Sequence, residues 1–320
     1  MANPDNLSPN PTWERTALEK LLFNTLKEQR RKRRWGVFFK LLFFIYLTIV
    51  LWLIWPSEVS VPTGKDKGHT ALIDMSGEIM DNAAASADNV ATGLQAAFKD
   101  KSTKAIILRI NSPGGSPVQA SDIYDEIRYQ RARHPKIKIY TVCTDLCTSA
   151  AYYVASATDQ IYANPSSLVG SIGVLMDGFG FVGTLEKLGI QRRLMTSGDH
   201  KGFLDPFSPI KPEEQQYAQK LLDDVHQQFA RNVQQGRGKR LKNTPDIFSG
   251  LVWTGNQALP LGLIDGFGNA ETVARDIIKN DNVIDYTYKP GVFQQLADRV
   301  GASFAHTISE QLGLKLHATY

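Results

Sequence analysis

The first residue able to do chemistry is Ser149, in "CTSAAYYVASA" (147–157), where a β-branched, strand-like run, "IKIYTVCT", gives way to small residues suited to a helix. A serine at such a junction has two uses. Its hydroxyl can cap the helix by accepting a hydrogen bond from an early N–H. It can also act as a nucleophile, once a base takes its proton. A second stretch, "RINSPGGSP" (109–117), follows an apolar run and precedes a helical pattern. There Gly114 and Gly115 can adopt positive φ and turn backbone N–H groups toward one point, an arrangement that holds an anion. Gly-Gly after Pro is also an ordinary turn. It is neither a Walker loop, since no G-K-[ST] follows, nor a G-x-G-x-x-G fingerprint.

No other group announces itself as strongly. The histidines are scattered, and only His200 lies in a glycine-containing loop, "SGDHKGF". Ser–His–Asp triads occur in several chain orders, so spacing alone leaves one open, but no histidine has a supporting motif. Cys143 and Cys147 are the two cysteines, and C-x₃-C without further ligands is a poor zinc site. In an extended segment, four residues exceed the roughly 7 Å Cα limit of a disulfide, so two buried thiols are expected. Nothing calls for a metal or cofactor.

The elements that must position these residues alternate from residue 69 onward. "TALIDMSGEI", "KAIILRI", "IKIYTV", "DQIYA" and "VGSIGVL" read as strands, after which short helices and "IQRRLMT" follow. "DNVATGLQAAFKD", with Asp88 as its cap, "PVQASDIYDEIRYQRAR" and "SAAYYVASA" read as helices. This order predicts an α/β domain with largely parallel pairing. Further on, Tyr217, Leu221, Leu222, Val225, Phe229 and Val233 recur at helical spacing after Pro212, a face for the core or a subunit interface.

Composition bounds the rest. Of 320 residues, 42% are hydrophobic and 21% charged, enough for a sizeable core. The net charge of +4 comes from the five consecutive basic residues Arg30–Arg34, which argues against a general nucleic-acid surface. Directly after them, Trp35–Trp55 carries a single charge, Lys40. At about 1.5 Å per residue this run can cross a hydrocarbon core of about 30 Å. No A-x-A cleavage pattern follows, so an uncleaved anchor is expected. The positive-inside rule places the N-terminus in the cytoplasm and the rest of the chain outside. The sequence therefore divides into a basic N-terminal segment (1–34), an anchor (35–55), a linker (56–68), a catalytic domain (69–280) and a mostly helical C-terminal extension (281–320), which offers oligomer contacts.

Taken in order, "RINSPGGSP", "DLCTSAAYY", "VGSIGVL", "SGDHKGFLDPF" and "FSGLVWTGNQALPLGLIDGFGN" resemble the signal peptide peptidase A family, Ser–Lys membrane-anchored proteases related in fold to the Clp protease and crotonase groups. The resemblance implies a repeated ββα domain behind a single transmembrane helix. It implies Ser149 as nucleophile, Lys201 as general base, Gly114 and Gly115 in the oxyanion loop, and Ser171 as a partner orienting the lysine. It also implies peptide substrates such as remnant signal peptides, a closed homo-oligomer, no cofactor, and a place in the bacterial inner membrane with the catalytic domain extracytoplasmic. Two departures stand out: Ala150 and Ala151 replace the usual Gly-Gly after the nucleophile, and Cys143-Thr144-Asp145 replaces Met-Gly-Asp. The pairing is chemically coherent, because burial favours the neutral, proton-accepting form of a lysine. A crotonase-type acyl-CoA enzyme would use similar paired N–H groups but needs neither the anchor nor the dyad. A silent membrane scaffold of the same fold would be expected to lack the serine or the lysine.

Overall fold

The computed structural model describes residues 11–54, 68–242 and 244–289. The chain divides into two units, one comprising 1–64 and 290–320, the other 65–289. Among the described residues of the first, helix α1 (Pro11–Ile54) carries the basic run and most of the apolar stretch. Among the described residues no helix is both long and apolar enough to cross a membrane. The expected span extends beyond them, since Trp55 lies outside, as do the linker (up to Lys67) and most of the expected C-terminal extension, from Pro290 on.

The second unit is built on a parallel-rich sheet. Its strands are β1 (His69–Ser76), β2 (Thr103–Ser112), β3 (Lys138–Thr148), β4 (Gln160–Ala163), β5 (Leu168–Gly170), β6 (Val252–Thr254), β7 (Gly266–Phe267) and β8 (Val283–Asp285). They run in the order β6-β5-β3-β2-β1-β8, with β4 paired to β3 and β7 to β4. Among the described residues only the β5–β6 pair is antiparallel. Along β2 the side chains alternate as a pleat requires. Ile106, Leu108 and Ile110 enter the main core, while Ile107 joins Val142, Tyr162 and Val273 in a second cluster. Burial on both faces explains why "KAIILRI" is continuously apolar.

The helices α2 (Ala87–Lys99), α3 (Pro117–Arg133), α4 (Ala150–Ser156) and, after a short α5 (Val182–Lys187), α6 (Pro212–Arg237) follow from the same pattern. α3 begins with Pro at its first turn and with Ser116 at the N-cap, whose side chain accepts a bond from the Gln119 N–H. α2 starts on Ser86 rather than the expected Asp88, which lies in its first turn. On α6 the expected apolar face divides. Phe229 and Val233 are buried, whereas Tyr217 and Leu221 are exposed. Its C-terminal end is clamped. Arg237, almost fully buried, donates to Asp265 at 2.8 and 3.0 Å and to the Gly262 carbonyl.

Two expectations are corrected here. β8 is a strand pairing with β1, so the sheet runs past residue 280 into what reads as a helical extension. The strand expected over "VGSIGVL" stops at Gly170, because Gly170 (φ 98°) and Ser171 (φ 51°) both take positive φ. No residue between 173 and 213 is buried.

Candidate active site

The site is made where β3 forks. Its residues 140–143 pair with β4, and its residues 146–148 pair with β5. Between them the register slips, so that Ile110 faces Cys143 but Ser112 faces Cys147. A bulge of this kind bends a strand and re-aims the residues beyond it. It also brings the two cysteines within contact, both buried and unbridged. Extended spacing predicts two buried thiols held apart; the bulge instead places the two buried thiols in contact. Burial, and after it contact with Cys143, pushes the Cys147 thiol well above its ordinary range, away from the reactive thiolate.

Ser149 is the first residue past that strand. It has φ 55° and ψ −126°, and its side chain makes no capping bond to α4. Such a conformation costs of order 1–3 kcal/mol in a non-glycine residue and must be imposed by the surroundings. Those surroundings are specific. The Ser149 N–H donates to the Gly170 carbonyl at 2.8 Å, and its own carbonyl accepts from Tyr153 N–H. Tyr152 and Tyr153 then lock α4. The Tyr152 hydroxyl donates to the Leu263 carbonyl at 2.7 Å, and burial pushes its phenol far up. Tyr153 stacks on Tyr124 and leans on Phe229.

The glycine loop lies against this serine. Gly114 (φ 114°) has no room for a side chain, since a Cβ there would stand 2.8 Å from Ser149 Cβ and 3.1 Å from the Ala150 nitrogen. Its N–H is already taken by Ser112 Oγ at 3.2 Å. Gly115 is different. Ile79 N–H donates to the Gly114 carbonyl at 2.8 Å, and Ser116 N–H donates to the Ile79 carbonyl at 2.7 Å. In this parallel bridge the N–H of Gly115 itself faces the other way. Gly115 is exposed there and lines a cleft of about 830 Å³, together with Ser149, Ala150 and Ser171. Ala150 N–H, at the first position of α4, has no partner within its own helix. The arrangement therefore offers a hydroxyl on a strained turn, flanked by two open amides, which is what attack on a carbonyl with a stabilised oxyanion requires.

The structure brings Ser149, Gly115 and Ser171 to one cleft, with Gly114 packed beneath. It does not bring Lys201 there. Lys201 is exposed in a tight turn, its N–H donating to the Gly198 carbonyl at 3.1 Å, and it is not among the cleft residues. The burial expected of a general base is absent in the single chain. His200 is exposed as well. Sequence reasoning missed several lining residues, among them Ala150 as an amide donor, Tyr153 and Phe229 as a wall, and Glu78 and Asp122. Val118 and Asp122 stand one helical turn apart directly after the glycine loop, a spacing that could have marked that wall.

A parallel sheet that delivers a serine to a strand–helix turn beside a glycine loop defines a hydrolase-type α/β architecture, and the comparisons agree. The Clp protease family model matches residues 69–169, and that of peptidase family S49 matches residues 131–283. The chain is 46% identical over 176 residues to a protein of Brucella melitensis named Na(+)/H(+) antiporter NhaA, covering 55% of this chain and 24% of that protein. It is 32% identical over 219 residues to a Synechocystis protein named as a candidate protease, covering 68% of this chain and 75% of that one. To an Enterococcus faecium protein named as a candidate signal peptide peptidase SppA it is 30% identical over 230 residues, covering 71% and 65%. The chain belongs to the S49, or signal peptide peptidase A, family of peptidases. It spans about a quarter of the length of the antiporter-named relatives, and their name carries no transport function to it.

Proposed function

We propose that this protein is a membrane-anchored serine endopeptidase that cleaves remnant signal peptides and other membrane-derived or unfolded peptides. The observation that carries the reading is Ser149, uncapped and at positive φ, beside the open amides of Gly115 and Ala150. In this mechanism Ser149 Oγ attacks the scissile carbonyl while Lys201 Nζ accepts its proton. The amides of Gly115 and Ala150 hold the tetrahedral oxyanion, a contribution of about 3–4 kcal/mol per donor. Lys201 returns the proton to the leaving amine, then activates the water that hydrolyses the acyl-enzyme. Ser171, in the same cleft, orients the lysine.

Because Lys201 is exposed in the single chain, the dyad forms on assembly. The segment around it carries Leu175, Phe179 and Met195 at 80%, 80% and 93% exposure, surface that self-association would cover. A closed homo-oligomer is the usual solution. The anchor Trp35–Trp55 rests on its apolar sequence and on Arg30–Arg34 before it, with exposed Phe38, Phe43 and Phe44 suited to lipid. The reading places the catalytic domain on the extracytoplasmic face of a bacterial inner membrane, with the N-terminus in the cytoplasm.

The test is cleavage of a quenched fluorescent peptide by the full chain in detergent. Ser149→Ala should lower kcat by at least about 10³-fold. Unchanged turnover in that variant would overturn the assignment.

A further inference from the structure

The cleft carries a charge pattern that the reaction itself does not need. Among the described residues lining it, Glu78 and Asp122 are the two charged at neutral pH, and both are negative. No ion pair or hydrogen bond joins either carboxylate to another described side chain, and both residues are exposed. The more buried aspartates Asp74, Asp159, Asp205 and Asp265, by contrast, each meet an arginine. The charged lining of the cleft is therefore negative.

Both residues line the same cleft as Ser149 and Gly115. Glu78 immediately precedes Ile79, whose backbone brackets Gly115. Asp122 stands one turn beyond Val118 on α3, so the two share a face of the helix after the glycine loop. The remaining lining includes Val174, Leu175, Val225 and Phe229, which are apolar. The cleft is therefore both acidic and apolar.

Resting on the peptidase reading, we infer that Glu78 and Asp122 are specificity-determining residues that select peptides carrying a lysine or arginine close to an apolar segment. The chemistry matches a chain end with a positively charged region followed by an apolar one. Exposed charge pairs are individually weak and salt-screened, so the selection is several-fold and fades at high ionic strength.

The experiment uses the full chain in nonionic detergent and three peptides identical except for Lys, Gln or Glu beside the apolar segment. At low salt, kcat/KM should rank Lys over Gln over Glu, with Lys about three- to ten-fold above Gln. The ratio should fall to about one in Glu78→Gln/Asp122→Asn, and the order should reverse in Glu78→Lys/Asp122→Lys. Binding of the same peptides to Ser149→Ala, followed by fluorescence anisotropy, reads the preference without turnover. Equal binding and cleavage of Lys and Gln peptides by the unaltered cleft would overturn the inference, as would a preference that survives in the double amide variant. Charge-ranked binding with no cleavage of any peptide would instead overturn the peptidase reading and leave the acidic selection standing.

Discussion

Ser116 and Ser149 hold the same place in two successive strand–helix turns, and the chain uses them in opposite ways. Ser116 sits at φ −63° and ψ 124°, and its hydroxyl accepts a hydrogen bond from Gln119 N–H as the N-cap of α3. Ser149 sits at φ 55° and ψ −126° before α4 and caps nothing. One hydroxyl is used to start a helix. The other is withheld from its helix by a strained backbone and left in a cleft. Residue type and position relative to a helix do not separate the two roles. The preceding strand does, because β3 is bulged and forked at Cys143–Cys147 whereas β2 leads straight into its turn.

Breaking the comparison at its chemical end has the largest effect. Lys201→Arg should be nearly inactive, by about 10³-fold or more, because a guanidinium does not give up its proton in the working range. Lys201→Ala should match it, while His200→Ala should keep substantial activity. Steady-state kinetics on a single peptide decides this. An essential His200 with a dispensable Lys201 would make the enzyme a Ser–His one.

Next in size is the clamp that holds α6, and with it the Phe229 wall. Burial opposes the charge on Asp265, but the Arg237 fork, the Ile161 N–H and Arg240 outweigh it and hold the carboxyl below its ordinary range. A depressed folded-state value stabilises the fold above the unfolded value of about 3.9 and is lost as pH falls through the folded one. Arg237→Met removes the bidentate partner and leaves that carboxylate with the Ile161 N–H and the partly exposed Arg240. It should cost about 2–4 kcal/mol at pH 7 by denaturant unfolding, since Arg240 still faces Asp265. The cost should shrink as pH falls into the acid range and the carboxylate that Arg237 holds ionised takes up its proton. A loss independent of pH would assign the effect to packing alone.

The smallest effect sharpens the structural end. Ser116→Ala should lose about 1 kcal/mol of stability through its missing cap and keep most of its activity. The same change at Ser149 should leave stability within about 0.5 kcal/mol, since no cap bond is broken. Equal destabilisation by both would erase the distinction.

Much of the fold is legible in the sequence wherever a local rule is enough. α3 runs over the residues its Ser-Pro start and periodicity specify, and the buried run 104–110 lies inside β2. What escapes depends on contacts far apart in the chain. β8 is three residues long and is a strand only because β1 lies beside it. The contact of Cys143 with Cys147 needs a bulge set by pairing with three other strands. At the site, Ser149 and the glycine loop are visible as types and spacing. The separate duties of Gly114 as close packing and Gly115 as donor depend on Ile79, far earlier in the chain. Lys201 has only resemblance behind it, and its loop has no buried residue to fix it.

The most direct measurement is labelling of the full chain with a fluorophosphonate, with peptide mapping of the adduct by mass spectrometry. A hydroxyl used as a nucleophile reacts with this probe, and one used as a cap does not. The account predicts a single adduct on Ser149, absent in Ser149→Ala and retained in Ser116→Ala. An adduct on Ser116 or Ser112, with Ser149 unmodified, would contradict it.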